Sequence, residues 1–196
     1  MATLDGDGLH AAIGECQACG LCRGRTHSVA GSPPQPARWM VVLDGPSEQE
    51  DRLGRPLAEP DGPLLQAMLA AMGLDSVTDV CITHAVKCRG GPGRNPTPDE
   101  LAACRPYLVR QLELVQPEMV LALGRLAAES LLGEAWPGMS QLPLGKLRGQ
   151  VHTQAGVPVV VSYPPHSLLR QPAHKARAWE DLCLAMAHIG HTPWPN

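Results

Sequence analysis

Four short apolar runs punctuate the chain, at Trp39–Leu43, Val77–Thr83, Met119–Leu123 and Val157–Tyr163. Their length and their Gly, Pro and Asp boundaries predict buried strands. Between them, apolar residues recur at helical spacing. Leu9–Glu15 predicts a short helix, and Gly62–Met72 carries Leu64, Leu65, Met68, Leu69 and Met72 as a core-facing stripe ended by Gly73. Pro98–Val115 predicts the longest helix, with Asp99 and Glu100 in its first turn. Arg125–Leu132 and Ala173–His188 predict two more, the last with Trp179, Leu182, Met186 and Ile189 on one side. Strands alternating with helices predict an α/β, three-layer sandwich around a central four-stranded parallel sheet.

In such sheets, ligands bind in the loops outside the carboxyl ends of the strands. The first strand delivers the acidic turn Asp44–Asp51, and Asp44 stands where a carboxylate orients a water or simply caps a turn. The second delivers Val86–Lys87–Cys88–Arg89 and a Gly/Pro loop that opens the long helix carrying Cys104. The fourth delivers Pro164–Arg170.

Cys88 and Cys104 bracket that loop, and Cys16 and Cys19 form a C-x2-C near the start. Four thiolates from two distant segments suit either zinc or a cubane iron–sulfur cluster. Cys22 continues the N-terminal spacing as a further ligand or as a small buried hydrophobe. Seven cysteines leave one over from any disulfide framework, which with the absence of an apolar run of bilayer length points to a reducing, cytoplasmic setting. The 196 residues suit one α/β domain, in which residues 1–38 contribute half of the cysteine site. A net charge of −3 restricts any nucleic-acid contact to a local basic patch.

The residues Cys16-x2-Cys19 with Leu21–Cys22, Glu50–Asp51-x-x-Gly54-x-Pro56, Gly62-x-Leu64–Leu65, Val86–Lys87–Cys88–Arg89, Glu100-x-x-x-Cys104-x-Pro106–Tyr107–Leu108, Leu147–Arg148–Gly149 and Leu168–Leu169–Arg170 form a pattern. It resembles the family 4, iron–sulfur uracil-DNA glycosylases over nearly the whole chain. The resemblance implies that family's fold, a [4Fe–4S] cluster on Cys16, Cys19, Cys88 and Cys104 with zinc as the competing metal, and DNA crossing the carboxyl edge of the sheet. It also implies phosphate contacts by Lys87, Arg89, Arg94, Arg148 and Arg170, the last on a segment the family uses as a wedge.

The departures fall in the base pocket. The family's first motif stands here as Leu43–Asp44–Gly45–Pro46–Ser47; the stacking Phe is Leu57, the base-reading Asn is His84, and the histidine of the His-Pro motif is Pro164. Leucine has no ring face, a neutral histidine offers one donor and one acceptor without an amide's bidentate match, and proline has no donor. His166, two residues on, is the candidate replacement. The expectation is therefore a degraded pocket with Asp44 as a remnant. The protein would keep the scaffold and act as a DNA-binding or assembly module in replication or repair, on single-stranded or junction DNA. A protein partner is expected, as for the clamp loader's psi subunit, which the segment from Gln171 to Cys183 resembles. The alternative is an active glycosylase that excises uracil or another deaminated base.

Overall fold

The computed structural model describes residues 3–91, 94–136 and 138–193. Strands β1 (Trp39–Leu43), β2 (Val80–His84), β3 (Met119–Leu123), β4 (Val151–Gln154) and β5 (Val157–Ser162) form one sheet in the order β2-β1-β3-β5-β4. The first four in that order are parallel, while β4 pairs antiparallel with β5. The sheet is thus five-stranded, not four-stranded. The added strand has a single large apolar residue, Val151, followed by His152, Thr153 and Gln154, so no apolar run announces it. A two-residue turn joins it to β5, with positive φ at both Ala155 (48°) and Gly156 (86°), the conformation that matches a hairpin's twist.

The helices are α1 (Gly6–Gly14), α2 (Glu48–Leu53), α3 (Asp61–Ala71), α4 (Pro98–Val115), α5 (Arg125–Leu132), α6 (Leu144–Leu147), α7 (Pro165–Arg170) and α8 (Lys175–His188). Strand alternation sends Met40, Val42, Val120, Ala122, Val159 and Val161 against α1, α4 and α5. It sends Trp39, Val41, Met119, Leu121 and Val160 against α3 and α8. Both faces of the sheet are therefore covered, and each buried aliphatic side chain contributes about 1.5–3 kcal/mol. Among the described residues, no helix is long and apolar enough to cross a membrane.

Three further expectations change. β2 begins at Val80 instead of Val77, because the Asp75 carboxylate accepts the amides of Val77 and Thr78, each at 2.8–2.9 Å, and holds them in a turn. The acidic segment after Asp44 is largely helix: Ser47 and Glu50 form a reciprocal capping box that starts α2. Trp179 falls beside the buried stripe Ala178, Leu182, Ala185 and Met186, and is 41% exposed. Residues 29–32 run along the outer edge of β2, with Val29 donating to Lys87 O and Ser32 to Ile82 O, both at 2.7 Å. They cover an edge that would otherwise be open.

Candidate active site and cysteine centre

Beyond the carboxyl ends of β1, β2 and β5 lies a cleft with about 370 Å3 of unfilled space, part of it continuous with solvent. Its lining includes Asp44, Glu50, Leu57, Asp61, His84, Pro164 and His166. All five residues expected at a base pocket are thus brought together.

Asp44 follows β1, and its Oδ1 accepts the Ala127 amide at 3.0 Å, at the start of α5. A helix N-terminus favours a carboxylate there. The preceding Gly124 (φ 126°) passes so close that a Cβ would stand 2.2 Å from that oxygen. Burial pushes the Asp44 carboxyl above its ordinary range, against the pull of the Ala127 and Leu126 amides and of His166 and His84. Asp61, opening α3, is also raised, by burial first and by the charge of Glu50, with His166 and Arg170 opposing.

His84 ends β2 and is 0% exposed. Its Nε2 lies 3.3 Å from Glu50 Oε2. Glu50 is itself buried: Oε2 accepts the Ser47 amide and Oε1 the Leu57 amide, each at 2.9 Å. Burial opposes its ionisation, but the contact with His84 and the Ser47 groups outweigh it and hold its carboxyl below the usual range. His84 Nδ1 is buried without a partner among the described residues. Leu57 adopts φ 64°, a left-handed backbone disfavoured for leucine. Gly62 must lack a side chain, since a Cβ would meet Leu57 O at 2.1 Å. Pro164 presents no donor, and His166, exposed in the first turn of α7, lines the cleft beside it.

A second, more open groove holds about 840 Å3 of unfilled space and shares Asp44, Gly45 and His166 with the first. It continues past Val86, Cys88 and Arg89 to Arg94 and Asn95. Of the basic residues expected to face DNA, Arg89 and Arg94 line this groove, although Arg89 contacts Glu48 at 3.2 Å and Arg94 holds Glu100 with both terminal nitrogens at 2.7 and 2.9 Å. Arg170 is exposed on α7 next to Leu169, which is 42% exposed.

Two of the basic residues have other duties. Lys87 is 2% exposed, and its Nζ donates to Thr83 Oγ1 and His84 O at 2.6 Å and to Gln111 Oε1 at 2.7 Å. Burial brings its pKa down to about 8 against the pull of nearby Cys104, Cys81 and Cys88. It therefore has no surface charge to offer a phosphate. Arg148 is likewise turned inward, donating to Asp181 Oδ2 at 3.0 Å and to Arg177 O at 2.6 Å. Buried Asp181 also accepts Ser162 Oγ at 2.6 Å and the Gly149 amide at 3.1 Å, so the Leu-Arg-Gly segment is a brace for α8 and β5.

The four cysteines converge from three places. Cys16 and Cys19 follow α1, Cys88 follows β2, and Cys104 lies within α4, all packed in one side-chain cluster. Cys88 feels the charges of Cys19 and Cys16, and Cys104 those of Cys88 and Cys16. Arg25 Nη1 donates to Cys88 Sγ at 3.0 Å, and the Lys87 amide to Cys104 Sγ at 3.3 Å. Burial pushes the Cys104 thiol up to about 11, with Lys87 opposing. No three His, Cys, Asp or Glu side chains among the described residues stand close enough to hold a single metal ion. An all-sulfur donor set with N–H groups aimed at its sulfurs fits an iron–sulfur cluster, whose charge such hydrogen bonds offset. Cys22 lies in the one-turn helix Gly20–Arg23, outside that cluster of packed side chains.

A family model described as the uracil DNA glycosylase superfamily matches residues 30–183. The chain belongs to that superfamily. It is 34% identical over 185 residues to a type-4 uracil-DNA glycosylase of Pyrobaculum aerophilum, covering 92% of this chain and 93% of that protein. A type-4 uracil-DNA glycosylase of Thermotoga maritima is 34% identical over 166 residues, covering 84% of this chain and 83% of the relative. A DNA polymerase of Bacillus phage SP01 is 28% identical over 164 residues, 83% of this chain but 17% of the polymerase.

Within this superfamily scaffold, Glu50 is the pocket residue whose role sequence reasoning missed. In the sequence it stands only within the acidic turn Asp44–Asp51 and in the pattern Glu50–Asp51-x-x-Gly54-x-Pro56, with no place among the pocket residues. The signal was present, since Ser47-x-x-Glu50 is a capping-box pattern that turns the glutamate inward.

Proposed function

We propose that this protein is a DNA glycosylase that hydrolyses the N-glycosidic bond of a deaminated base, uracil or a relative, turned out of the DNA into the cleft. The observation that carries this reading is the presence of both Asp44 and His166 in the lining shared by cleft and groove. Two residues beyond Pro164, which has no donor, His166 offers an imidazole N–H on the same cleft, and this supports a rebuilt pocket over an idle one.

In this reading Asp44, steadied by the Ala127 amide, orients the water that attacks the sugar carbon. His166 supplies an N–H toward the departing base anion. Glu50 and His84 line the cleft, Arg89 and Arg94 hold phosphates of a single-stranded or flipped segment along the groove, and Arg170 holds one from α7. Cys16, Cys19, Cys88 and Cys104 would hold a [4Fe–4S] cluster. When bound, it ties the N-terminal segment 1–38 to the loop after β2, making the whole chain one glycosylase-like unit.

The test is excision from single- and double-stranded oligonucleotides carrying uracil, hypoxanthine or xanthine. Asp44→Asn lowers the rate about a hundred- to ten-thousandfold. Because Asp44 works ionised and its pKa is raised, activity falls as pH drops through a value above the ordinary carboxylate range. No cleavage above background on the whole panel overturns the proposal.

A second reading is favoured by Leu57, which has no ring to stack on a base at a position worth about 1–3 kcal/mol of stacking. It makes the protein a non-catalytic DNA-binding or assembly module with a replication or repair partner. Co-elution with clamp-loader components in the absence of any excision would select it.

A further inference from the structure

Arg25 is half-buried, and among the described residues no carboxylate pairs with it. Its Nη1 donates to Cys88 Sγ at 3.0 Å, and its Nη2 donates to Gly14 O, at the end of α1, at 2.8 Å. Beyond Cys88, the groups whose charge it faces are Cys22 and Cys16. The adjoining Thr26 amide is fixed on the Asp51 carboxylate of α2 at 3.0 Å, so the loop that carries Arg25 is anchored. A cation drawn out of water calls for an anion, and neutral thiols supply none. A [4Fe–4S] cluster on four thiolates is net negative and would supply it. Cys88 also lines the open groove beside Arg89, so the sulfur that Arg25 holds borders the path proposed for DNA.

Net charge, hydrogen bonds to the sulfurs and solvent access set the reduction potential of such clusters. A cation bonded to a thiolate draws electron density from it and favours the member of a redox couple that carries the extra electron. We infer that Arg25 is the charge partner of the cluster, raising its one-electron reduction potential through Cys88 Sγ and so protecting it from oxidation. The inference rests on the reading that Cys16, Cys19, Cys88 and Cys104 hold a [4Fe–4S] cluster. One electron passes between the cluster and an electrode or external oxidant, and no bond or proton changes place at Arg25. The direction is the same for whichever couple the cluster shows, because removing a neighbouring positive charge disfavours the more negative member. Lys87 is the other buried cation near these sulfurs. Its Nζ is held by Thr83 Oγ1, His84 O and Gln111 Oε1, and its contact with a sulfur is made by its main-chain amide, on Cys104.

Voltammetry of the cluster-replete protein reads the potential without reference to catalysis. Arg25→Gln, which keeps a donor but loses the charge, should lower it by at least about 59 mV, a tenfold change in the one-electron equilibrium constant. Arg25→Lys, which keeps the charge, should stay nearer to wild type than to Arg25→Gln. The rate at which ferricyanide, a one-electron acceptor, bleaches the visible absorption is the second readout. It should rise in Arg25→Gln and be restored in Arg25→Lys. A potential unchanged in Arg25→Gln, or lowered equally in Arg25→Lys, overturns the inference. Should Arg25→Gln purify without colour, Arg25→Lys decides. A cluster near the wild-type potential upholds the need for a charge, whereas loss of the cluster from both variants makes Arg25 a clamp for Cys88 and overturns the inference. Wild-type protein that holds no iron overturns the cluster reading itself, and the inference with it.

Discussion

Glu50 accepts the amides of Ser47 and Leu57 and contacts His84 Nε2, and so joins the start of α2, the strained Leu57 turn and the end of β2 at one carboxylate. Glu50→Ala leaves two main-chain donors unmatched, and we expect a loss of about 3 kcal/mol in urea unfolding. A loss under about 1 kcal/mol would show that the turn at Leu57 stands without it. Lys87 and Arg170 separate burial from function among the basic residues. Lys87→Met removes three internal hydrogen bonds and should destabilise the fold by about 1–3 kcal/mol without altering the salt dependence of DNA binding. Arg170→Ala should leave stability unchanged, weaken DNA binding and reduce the salt slope by about one, as a phosphate contact does. Anisotropy titrations at several salt concentrations distinguish the two; an unchanged slope for Arg170→Ala would remove it from the DNA edge.

At the scale of the element, two helix starts do work that their lengths alone do not suggest. α5 opens at Gly124 against the Asp44 carboxylate, in a conformation (φ 126°) that non-glycine residues rarely adopt. Gly124→Ala should therefore both destabilise the fold and displace Asp44, lowering excision more than ten times, whereas Gly145→Ala, with open space around it, should do neither. α4 opens with the Thr97–Glu100 capping box. Arg94 on the Glu100 carboxylate, then the Thr97 amide, hold its pKa down to about 2 against a small effect of burial. A depressed acid contributes stability that is complete above its ordinary value near 4.5 and fades as pH falls toward 2. The stability gap between wild type and Glu100→Gln should accordingly be present at pH 6 and shrink by pH 3. A gap that stays constant over that interval would contradict the ion pair.

At the scale of the whole molecule, the N-terminal segment is fastened at several points along the chain. The Asp51 carboxylate accepts the Thr26 amide at 3.0 Å, Arg25 reaches Cys88, and residues 29–32 flank β2. A cluster on Cys16, Cys19, Cys88 and Cys104 would close the same loop covalently. Replacing any of the four by Ser should bleach the visible absorption of the purified protein and lower its melting temperature, while Cys22→Ala should retain the colour. Bleaching by Cys22→Ala would reassign the ligands.

The strand and helix positions of the core were legible because apolar periodicity is local: β1, β3, α4 and α5 fall where the pattern of residues puts them. Asp44 and His84 stand at the carboxyl ends of β1 and β2, where such a sheet places ligands, whereas Leu57, Cys16, Cys19 and Cys104 lie away from strand ends, the cysteines marked by their spacing and Leu57 by the family pattern alone. β4 was not, because an edge strand of His152, Thr153 and Gln154 is stabilised by pairing with β5 and not by its own burial. Nor were the fates of Lys87 and Arg148, whose charge is plain in sequence while their direction depends on Gln111 and Asp181, residues 24 and 33 positions away. The duty of Arg25 belongs to the same class. An arginine's residue type fixes its charge but not its partner, and only the fold brings it to Cys88, 63 residues later.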